Sequence, residues 1–308
     1  MALTDSASYA AYRAGWSVVR KMPEPVATRM FATLGNQLAA RDGSGVQRMR
    51  ANYARVRPDA DSAELDELVR QGMRSYMRYW CEAFRLPDWS EDRIWESHLV
   101  SGREHLDDAL ADGRGAICAL PHMGNWDWLA AWACGAYADT TVAAVAERLK
   151  PERLYRKFLD YRESLGLKVI PLTGGEVSAG DQVRDVLLGN GMVALLSDRD
   201  LTEHGIRVQF FGDTIRVPAG PAALALDTGA ALLPIYTYYD GPLLRTTVLA
   251  ELVTDESDRT AAIHDLSQQL AHAFEGFVSA HLQDWHMMST VWLADLSAGH
   301  RALSPDAE

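Results

Sequence analysis

Leu120-Pro-His-Met-Gly-Asn-Trp-Asp-Trp128 sets a histidine, His122, five positions ahead of a carboxylate, Asp127, directly after an apolar run. An imidazole beside a carboxylate is a pairing that takes a proton from a hydroxyl near neutral pH. Five residues of α-helix turn through about 500°, so the two side chains cannot share one face of a straight helix. The spacing therefore predicts His122 on the turn after a strand and Asp127 in the first turn of the next helix. Gly124 and Asn125 supply the turn and the N-cap. The plain alternative is a turn histidine followed by an aspartate that complements a helix N-terminus.

A second acidic cluster, Ser197-Asp198-Arg199-Asp200, follows another apolar run that starts at Gly191. Groups at the carboxyl ends of strands line the functional crevice of α/β proteins, and His122 and Asp198 both fall at such ends. A carboxylate near His122 would fix its tautomer and stabilise the imidazolium; an exposed loop with local ion pairs is the plainer reading. Arg216-Val-Pro-Ala-Gly220 enters a helix, and Arg216 with the helix N-terminus at Ala219 and Gly220 suits an anion. Ordinary helix-start punctuation is the alternative. Glu147 ends a strand and Arg162 lies on the following helix, placed either to hydrogen-bond a polyhydroxylated acceptor or to form an ion pair. Asp284-Trp285-His286 terminates the last long helix, where His286 faces a substrate or only the helix end. The other seven histidines have no recognisable partner pattern. Without a Gly-x-Ser-x-Gly elbow, a His-Glu-x-x-His pair or a P-loop, acyl-serine, zinc-hydrolase and NTPase chemistry lose support, and no metal is expected.

The elements that must position these residues follow from the apolar pattern. Residues 1–86 read as helical, with breaks at Pro23 and Pro25, a second helix ending near Gly35, a third over 48–57 and a fourth over 61–85. From Gly113 strand-length runs alternate with helical stretches: strands at 115–120, 141–146, 168–172, 192–197, 206–211, 231–238 and 244–251. Helices are expected at 101–111, 125–137, 151–165, 180–189, 219–229 and 257–283. This is an α/β pattern, with a central mixed, mostly parallel β-sheet flanked by helices. One domain is expected: a helical extension over 1–86, an α/β core over 87–296 and a flexible tail over 297–308.

The 308 residues are 48% hydrophobic and 23% charged, as in a soluble globular protein, and the net charge of −12 argues against nucleic acid as a partner. Cys81, Cys118 and Cys134 lie in apolar surroundings and read as reduced thiols. No signal peptide or membrane span is visible. The charge is uneven: residues 1–60 carry +5, from nine Arg and Lys against four Asp and Glu. Over residues 6–34, Tyr9, Tyr12, Trp16, Met30 and Phe31 interleave with Arg13, Arg20, Lys21 and Arg29. That mixture suits a helix lying in an anionic membrane interface, or aromatics that cap the core while the basic groups face water.

His122-Met-Gly-Asn-Trp-Asp127 resembles the His-x4-Asp/Glu signature of glycerolipid and lipid A acyltransferases. Ser197-Asp198-Arg199-Asp200 with Val208-Gln-Phe-Phe-Gly212, then Arg216-Val-Pro-Ala-Gly220, then Asp284-Trp285-His286 before Trp292, resemble later blocks of the bacterial lipid A branch, in order. Ala14-Gly15-Trp16 with Pro23-Glu24, and Arg74-Ser-Tyr-Met-Arg-Tyr-Trp80 through Pro87, are similar to an actinobacterial subgroup, the phosphatidylinositol mannoside acyltransferases. The resemblance implies an acyl-CoA donor, with no other cofactor, and a phosphatidylinositol mannoside acceptor. A palmitoyl chain would move to the 6-hydroxyl of the mannose on the inositol 2-position, at the cytoplasmic face of the plasma membrane. His122 would be the base, with Asp198, Asp127 or both orienting it, and backbone amides or Arg199 would stabilise the oxyanion. Glu147, Arg162, Arg199, Asp200 and His286 would serve the acceptor side, and Arg216, Ala219 and Gly220 the acyl-CoA. Where the family often has Glu, this chain has Asp198, one methylene shorter, which demands a closer approach. The alternatives are an acyltransferase of the branch with another glycolipid or glycerophospholipid acceptor, and a non-catalytic membrane-surface binding protein.

Overall fold

The computed structural model describes residues 15–146, 152–173, 177–200 and 205–296, without the side chains of Arg153 and Leu154. The strands are β1 (His98–Ser101), β2 (Ala116–Leu120), β3 (Val142–Ala146), β4 (Lys168–Pro171), β5 (Met192–Leu196), β6 (Ile206–Phe210), β7 (Asp213–Val217), β8 (Ala231–Asp240) and β9 (Leu243–Val248). Strand β2, apolar and buried at every position, has no face left for water and belongs inside a sheet. It sits fourth in a seven-stranded sheet of order β1-β9-β8-β2-β5-β3-β4. Strands β8, β2, β5, β3 and β4 run parallel, β9 turns back on β8, and β1 runs parallel to β9.

Alternate β2 side chains enter different buried clusters, as a period of two requires. Ile117 and Ala119 pack with Val186, Leu232 and Phe274. Ala116, Cys118 and Leu120 pack with Leu106, Ala130 and Leu233. These partners come from helices α6 (Arg103–Ala111), α7 (Trp126–Ala136), α9 (Ala179–Leu188) and α11 (Arg259–Ala280), besides β8. Helix α8 spans Glu152–Ser164 and α10 spans Gly220–Thr228.

At the N-terminal side, residues 15–21 are helical (α1), followed by α2 (Glu24–Arg41), α3 (Ser44–Val56), α4 (Ser62–Arg85) and the short α5 (Glu91–Glu96). Asp61 caps α4 by accepting from the amides of Ala63 and Glu64, each at 2.9 Å. Val46, Met49, Tyr53, Val69 and Met73 lie in the same buried cluster as Ile117 and Ala119, so α3 and α4 extend the core under the sheet. Trp16 and Phe31 are 5% and 6% exposed and belong to the core. Tyr9, Tyr12 and Arg13 lie outside the described residues.

Two strands escape the sequence pattern. Strand β1 is four residues with only His98 buried, too short to show a period. Strand β7 pairs with β6 through a two-residue turn at Phe211 and Gly212, both at positive φ, which suits a tight hairpin. Gly35 does not end α2, which continues to Arg41. It marks where α2 crosses α4: a Cβ there would lie 2.8 Å from the Met73 carbonyl oxygen and 2.9 Å from the Arg74 Cα. Gly35→Ala therefore separates two effects. Helix propensity alone would stabilise the variant by up to about 1 kcal/mol. Backbone overlap at the crossing costs about 1–3 kcal/mol and should win. Urea unfolding should show a lower midpoint, and an unchanged or raised midpoint would refute the close crossing.

Candidate active site

The register of β2 and β5 creates the site. Leu120 pairs with Leu196, so His122 and Asp198 leave neighbouring parallel strands at the same level. The Ser197 amide then donates to the Leu120 carbonyl at 2.7 Å and carries the alignment past the strand ends. Asp198 Oδ1 accepts from His122 Nδ1 at 2.5 Å, and Oδ2 accepts from the His122 amide at 2.9 Å. The shorter aspartate reaches the imidazole without an intervening water. A third donor, the Trp285 indole N–H, reaches Oδ2 at 2.9 Å.

Asp198 is 1% exposed while the His122 side chain keeps 23% of its surface open. Burial by itself would raise the Asp198 pKa. The His122 charge and the hydrogen bonds from His122 and Trp285 outweigh it and hold the carboxylate below its usual 3.8. An ionised Asp198 fixes the proton of neutral His122 on Nδ1, leaving the Nε2 lone pair for an incoming hydroxyl.

Asp127 sits in the first turn of α7, as the spacing predicts, behind the Asn125 cap whose Oδ1 accepts from the Trp128 amide. Its partners differ from the expectation. Asp127 Oδ1 accepts from Arg162 Nε at 2.8 Å and Oδ2 from the Tyr79 hydroxyl at 2.9 Å, while the His122 ring is taken by Asp198. The Asp127 charge, ahead of the burial that opposes it, raises the Arg162 pKa above its ordinary value. The pair is a buried ion pair one layer from the imidazole. The Trp126 ring joins the two, 4.3 Å from Tyr79 and edge-on to His122 at 6.0 Å.

A C-terminal strap lies across the motif. Gly124, at φ 57°, donates to the Asp284 carbonyl at 3.0 Å, and the His286 amide donates to the His122 carbonyl at 2.8 Å. A Cβ on Gly124 would also meet the Thr237 carbonyl at 2.6 Å, so this turn admits no side chain. His286 is buried, and burial, then the His122 charge, push its pKa down to about 3, so the ring is neutral. Ser75 donates to Asp284 Oδ1 at 2.5 Å and so accepts from His286 Nε2 at 2.9 Å. His286 Nδ1 is left as a buried acceptor without a partner.

The remaining candidates are spread around this centre. Arg199 Nη1 is buried without a partner. The Asp200 amide donates to the Arg216 carbonyl on β7 at 2.7 Å, which ties the Asp-Arg-Asp segment to the hairpin. Ala219 and Gly220 begin α10 without a side-chain cap. Glu147 lies outside the described residues. Among the described residues no cluster of potential metal ligands occurs. Sequence reading missed Tyr79, the indole of Trp285 and Ser75 as the partners of Asp127, Asp198 and Asp284 respectively. The only signal was the density of aromatics in α4 and the Asp-Trp-His run.

A model of bacterial lipid A biosynthesis acyltransferases matches residues 3–294. The chain is 46% identical over 293 residues to a phosphatidylinositol mannoside acyltransferase of Mycolicibacterium smegmatis, covering 94% of this chain and 93% of that protein. It is 43% identical over 302 residues to the protein of that name from Mycobacterium tuberculosis, covering 97% and 93%.

The strap carries a pH signature. Burial raises the Asp284 pKa to about 6, against the opposing hydrogen bonds from Ser75 and the Tyr239 amide. A carboxyl whose folded pKa is raised contributes its stability below the unfolded value and loses it as pH rises through the folded one. Relative to Asp284→Asn, the wild type should lose on the order of 3 kcal/mol between pH 4 and pH 7. Urea unfolding of both proteins at several pH values measures this, and parallel pH profiles would show that Asp284 titrates normally.

Proposed function

The chain belongs to the bacterial lipid A biosynthesis acyltransferase family and is an acyltransferase, and we propose that it acylates phosphatidylinositol mannosides. The donor is acyl-CoA, and a palmitoyl chain goes to the 6-hydroxyl of the mannose on the inositol 2-position. The observation that carries this reading is the His122–Asp198 pair, with Nδ1 committed to a buried carboxylate and 23% of the His122 side-chain surface still open. The named relatives support the acceptor.

His122 Nε2 takes the proton of the mannose hydroxyl as its oxygen bonds to the thioester carbonyl carbon. Asp198 stays ionised and stabilises the imidazolium. The tetrahedral oxyanion is met by the unpartnered Arg199 Nη1, the donor we assign. The carbon–sulfur bond then breaks, and the departing thiolate recovers the proton from Nε2. Transfer is direct. Burial pushes the Cys81 and Cys118 thiols up to about 12 and Cys134 to about 11, so no cysteine stands ready as an acyl carrier. The acyl chain enters an apolar cavity lined by Leu120, Trp126, Leu129, Ala130 and Ala194. Leu120 and Trp126 flank His122 in sequence, and the enclosed space, about 50 Å³, has to widen to take a long chain.

The acceptor is a lipid, and the enzyme works at the membrane face. Among the described residues no helix is long and apolar enough to cross a bilayer. Val26, Met30 and Leu34 form a stripe on α2 at helical spacing, exposed by 51%, 42% and 36%. They replace Trp16 and Phe31 as the lipid-facing residues. Arg20 is committed to an ion pair with Asp88, which leaves Lys21 and Arg29 as the basic flank.

Purified protein given radiolabelled palmitoyl-CoA with mono- and dimannosylated phosphatidylinositol should form acylated product. His122→Ala should lower turnover by about 10²–10⁴-fold in protein that still folds but melts at a lower temperature, because the buried Asp198 loses its ring partner, and Asp198→Asn should lower turnover nearly as much. Transfer to other glycolipids but not to these acceptors would redirect the assignment within the family, and wild-type turnover by His122→Ala would remove the base. Separately, replacing Val26, Met30 and Leu34 together by Ser should weaken co-sedimentation with anionic liposomes by about tenfold or more. Undiminished binding would exclude α2 as the anchor.

A further inference from the structure

A second cavity, of about 690 Å³, lies apart from the His122–Asp198 pair. Ser75, Arg78, Glu82 and Arg85 on α4 form one wall, and Glu24, Thr28 and Phe31 on α2 another. Trp89, Arg93, Tyr239 and Asp284 complete the lining; none of His122, Asp127, Arg162 or Asp198 takes part.

Its hydrogen bonds are unbalanced in one direction. Every carboxylate oxygen facing the cavity is engaged. Glu24 accepts two bonds from Arg93, at 2.6 and 2.7 Å. Glu82 accepts from Arg78 at 2.7 Å, Asn125 at 2.9 Å and the Tyr239 hydroxyl at 2.8 Å. Asp284 accepts from Ser75 at 2.5 Å and the Tyr239 amide at 3.0 Å. The donors are not exhausted: Arg85 Nε and the Trp89 indole N–H are both buried without a partner. Arg85 Nη1 is already spent on the carbonyls of Val19 and Met22, each at 2.7 Å, so its guanidinium is fixed in place. With Arg74 the lining holds four guanidinium groups against three carboxylates.

A buried N–H left unpaired is unfavourable, and more so on a charged group. Two of them, on immobilised side chains lining one positively biased cavity, are complementary to an anion. Planar arginine donors match phosphate oxygens especially well. We propose that this cavity binds a phosphate group other than those of the acyl donor, through Arg85 Nε and Trp89 Nε1. The volume exceeds a bare ion and falls in the range of about 300–1,000 Å³ typical of small-molecule sites. Helix α2 contributes one wall and also carries the exposed Val26, Met30 and Leu34 stripe. That proximity favours a phospholipid head group as the source; a free phosphate is the other source of the same chemistry.

Isothermal titration of the full chain, in saturating CoA to block the donor site, tests the proposal with two probes: inorganic phosphate and dihexanoyl phosphatidylinositol. Trp89→Phe removes the N–H and keeps a ring beneath Arg93, whose guanidinium carbon lies 3.9 Å from the ring centre. Wild type and His122→Ala should bind one or both probes alike, and Trp89→Phe should bind at least about tenfold more weakly. Arg74→Gln, at an exposed position, should weaken binding several-fold and serves if Trp89→Phe does not fold. Lipid binding tighter than phosphate binding assigns the head group, and phosphate binding alone assigns a free anion. Neither probe binding to wild type, or both variants binding like wild type, would overturn the site. The readout is binding, so the result stands independently of the acyl acceptor.

Discussion

A carboxylate held at 1% exposure has to be met by donors from every side, and Asp198 sets the geometry of the molecule around it. Its partners are the His122 ring, the His122 amide and the Trp285 indole. The first two come from the end of β2, the third from near the end of the described chain. Withdrawing any of them leaves charge buried with fewer bonds than it needs, a loss of several kcal/mol in sites of this kind. The sheet register, the turn at Gly124 and the C-terminal strap are the means by which two distant stretches reach one pair of oxygens.

The strap could not hold its place alone. Residues 285–289 run as largely irregular backbone over a buried site, and such backbone needs hydrogen-bond partners. The N-terminal helices supply them. Asn52 donates to the carbonyls of Met287 and Ser289 at 3.0 and 2.8 Å, and Tyr53 donates to that of Trp285 at 2.9 Å. Ser75 ties Asp284 to His286. The first helices are thus a scaffold for the proposed base, working through the strap. Their basic residues need not all face a membrane, and Arg20, Arg55 and Arg93 are ion-paired within the fold.

The sheet and the rim that carries His122 and Asp198 were legible because both rest on local signals. Continuous apolar runs marked β2 and β5, and strand ends in a parallel sheet share one rim, so the two polar clusters directly after them could be placed on that rim; that β2 and β5 are neighbours, and that Asp198 rather than Asp127 takes the imidazole, only the sheet order shows. The α7 cap at Asn125 was equally local. What stayed hidden depends on contacts between segments far apart in the chain. Nothing near Gly35 distinguishes a helix stop from a helix crossing. Nothing in Trp16 or Phe31 tells a lipid-facing aromatic from a core one, because both environments reward the same residue types. Strand β1 is visible only through its partner β9. Tyr79 and Trp285 became partners of the aspartates through tertiary packing, which no periodicity encodes.

The two carboxylates of the motif blocks come to different ends because their counter-charges differ. Asp127 and Asp198 are both buried, yet Asp127 meets a permanent cation, Arg162, while Asp198 meets a side chain that gains and loses its proton. A guanidinium cannot be deprotonated near neutral pH, so the Asp127 pair keeps a constant, locally balanced charge and its field at His122 is largely offset. Asp198 has no such partner. Its negative charge is matched only while His122 is protonated, so its stabilisation is greatest at the moment the imidazole has taken a proton. Two unmatched carboxylates beside one imidazole would hold the proton too firmly to return it to a leaving group. Neutralising one and leaving the other suits the proposed base, which must both accept a proton and give it back.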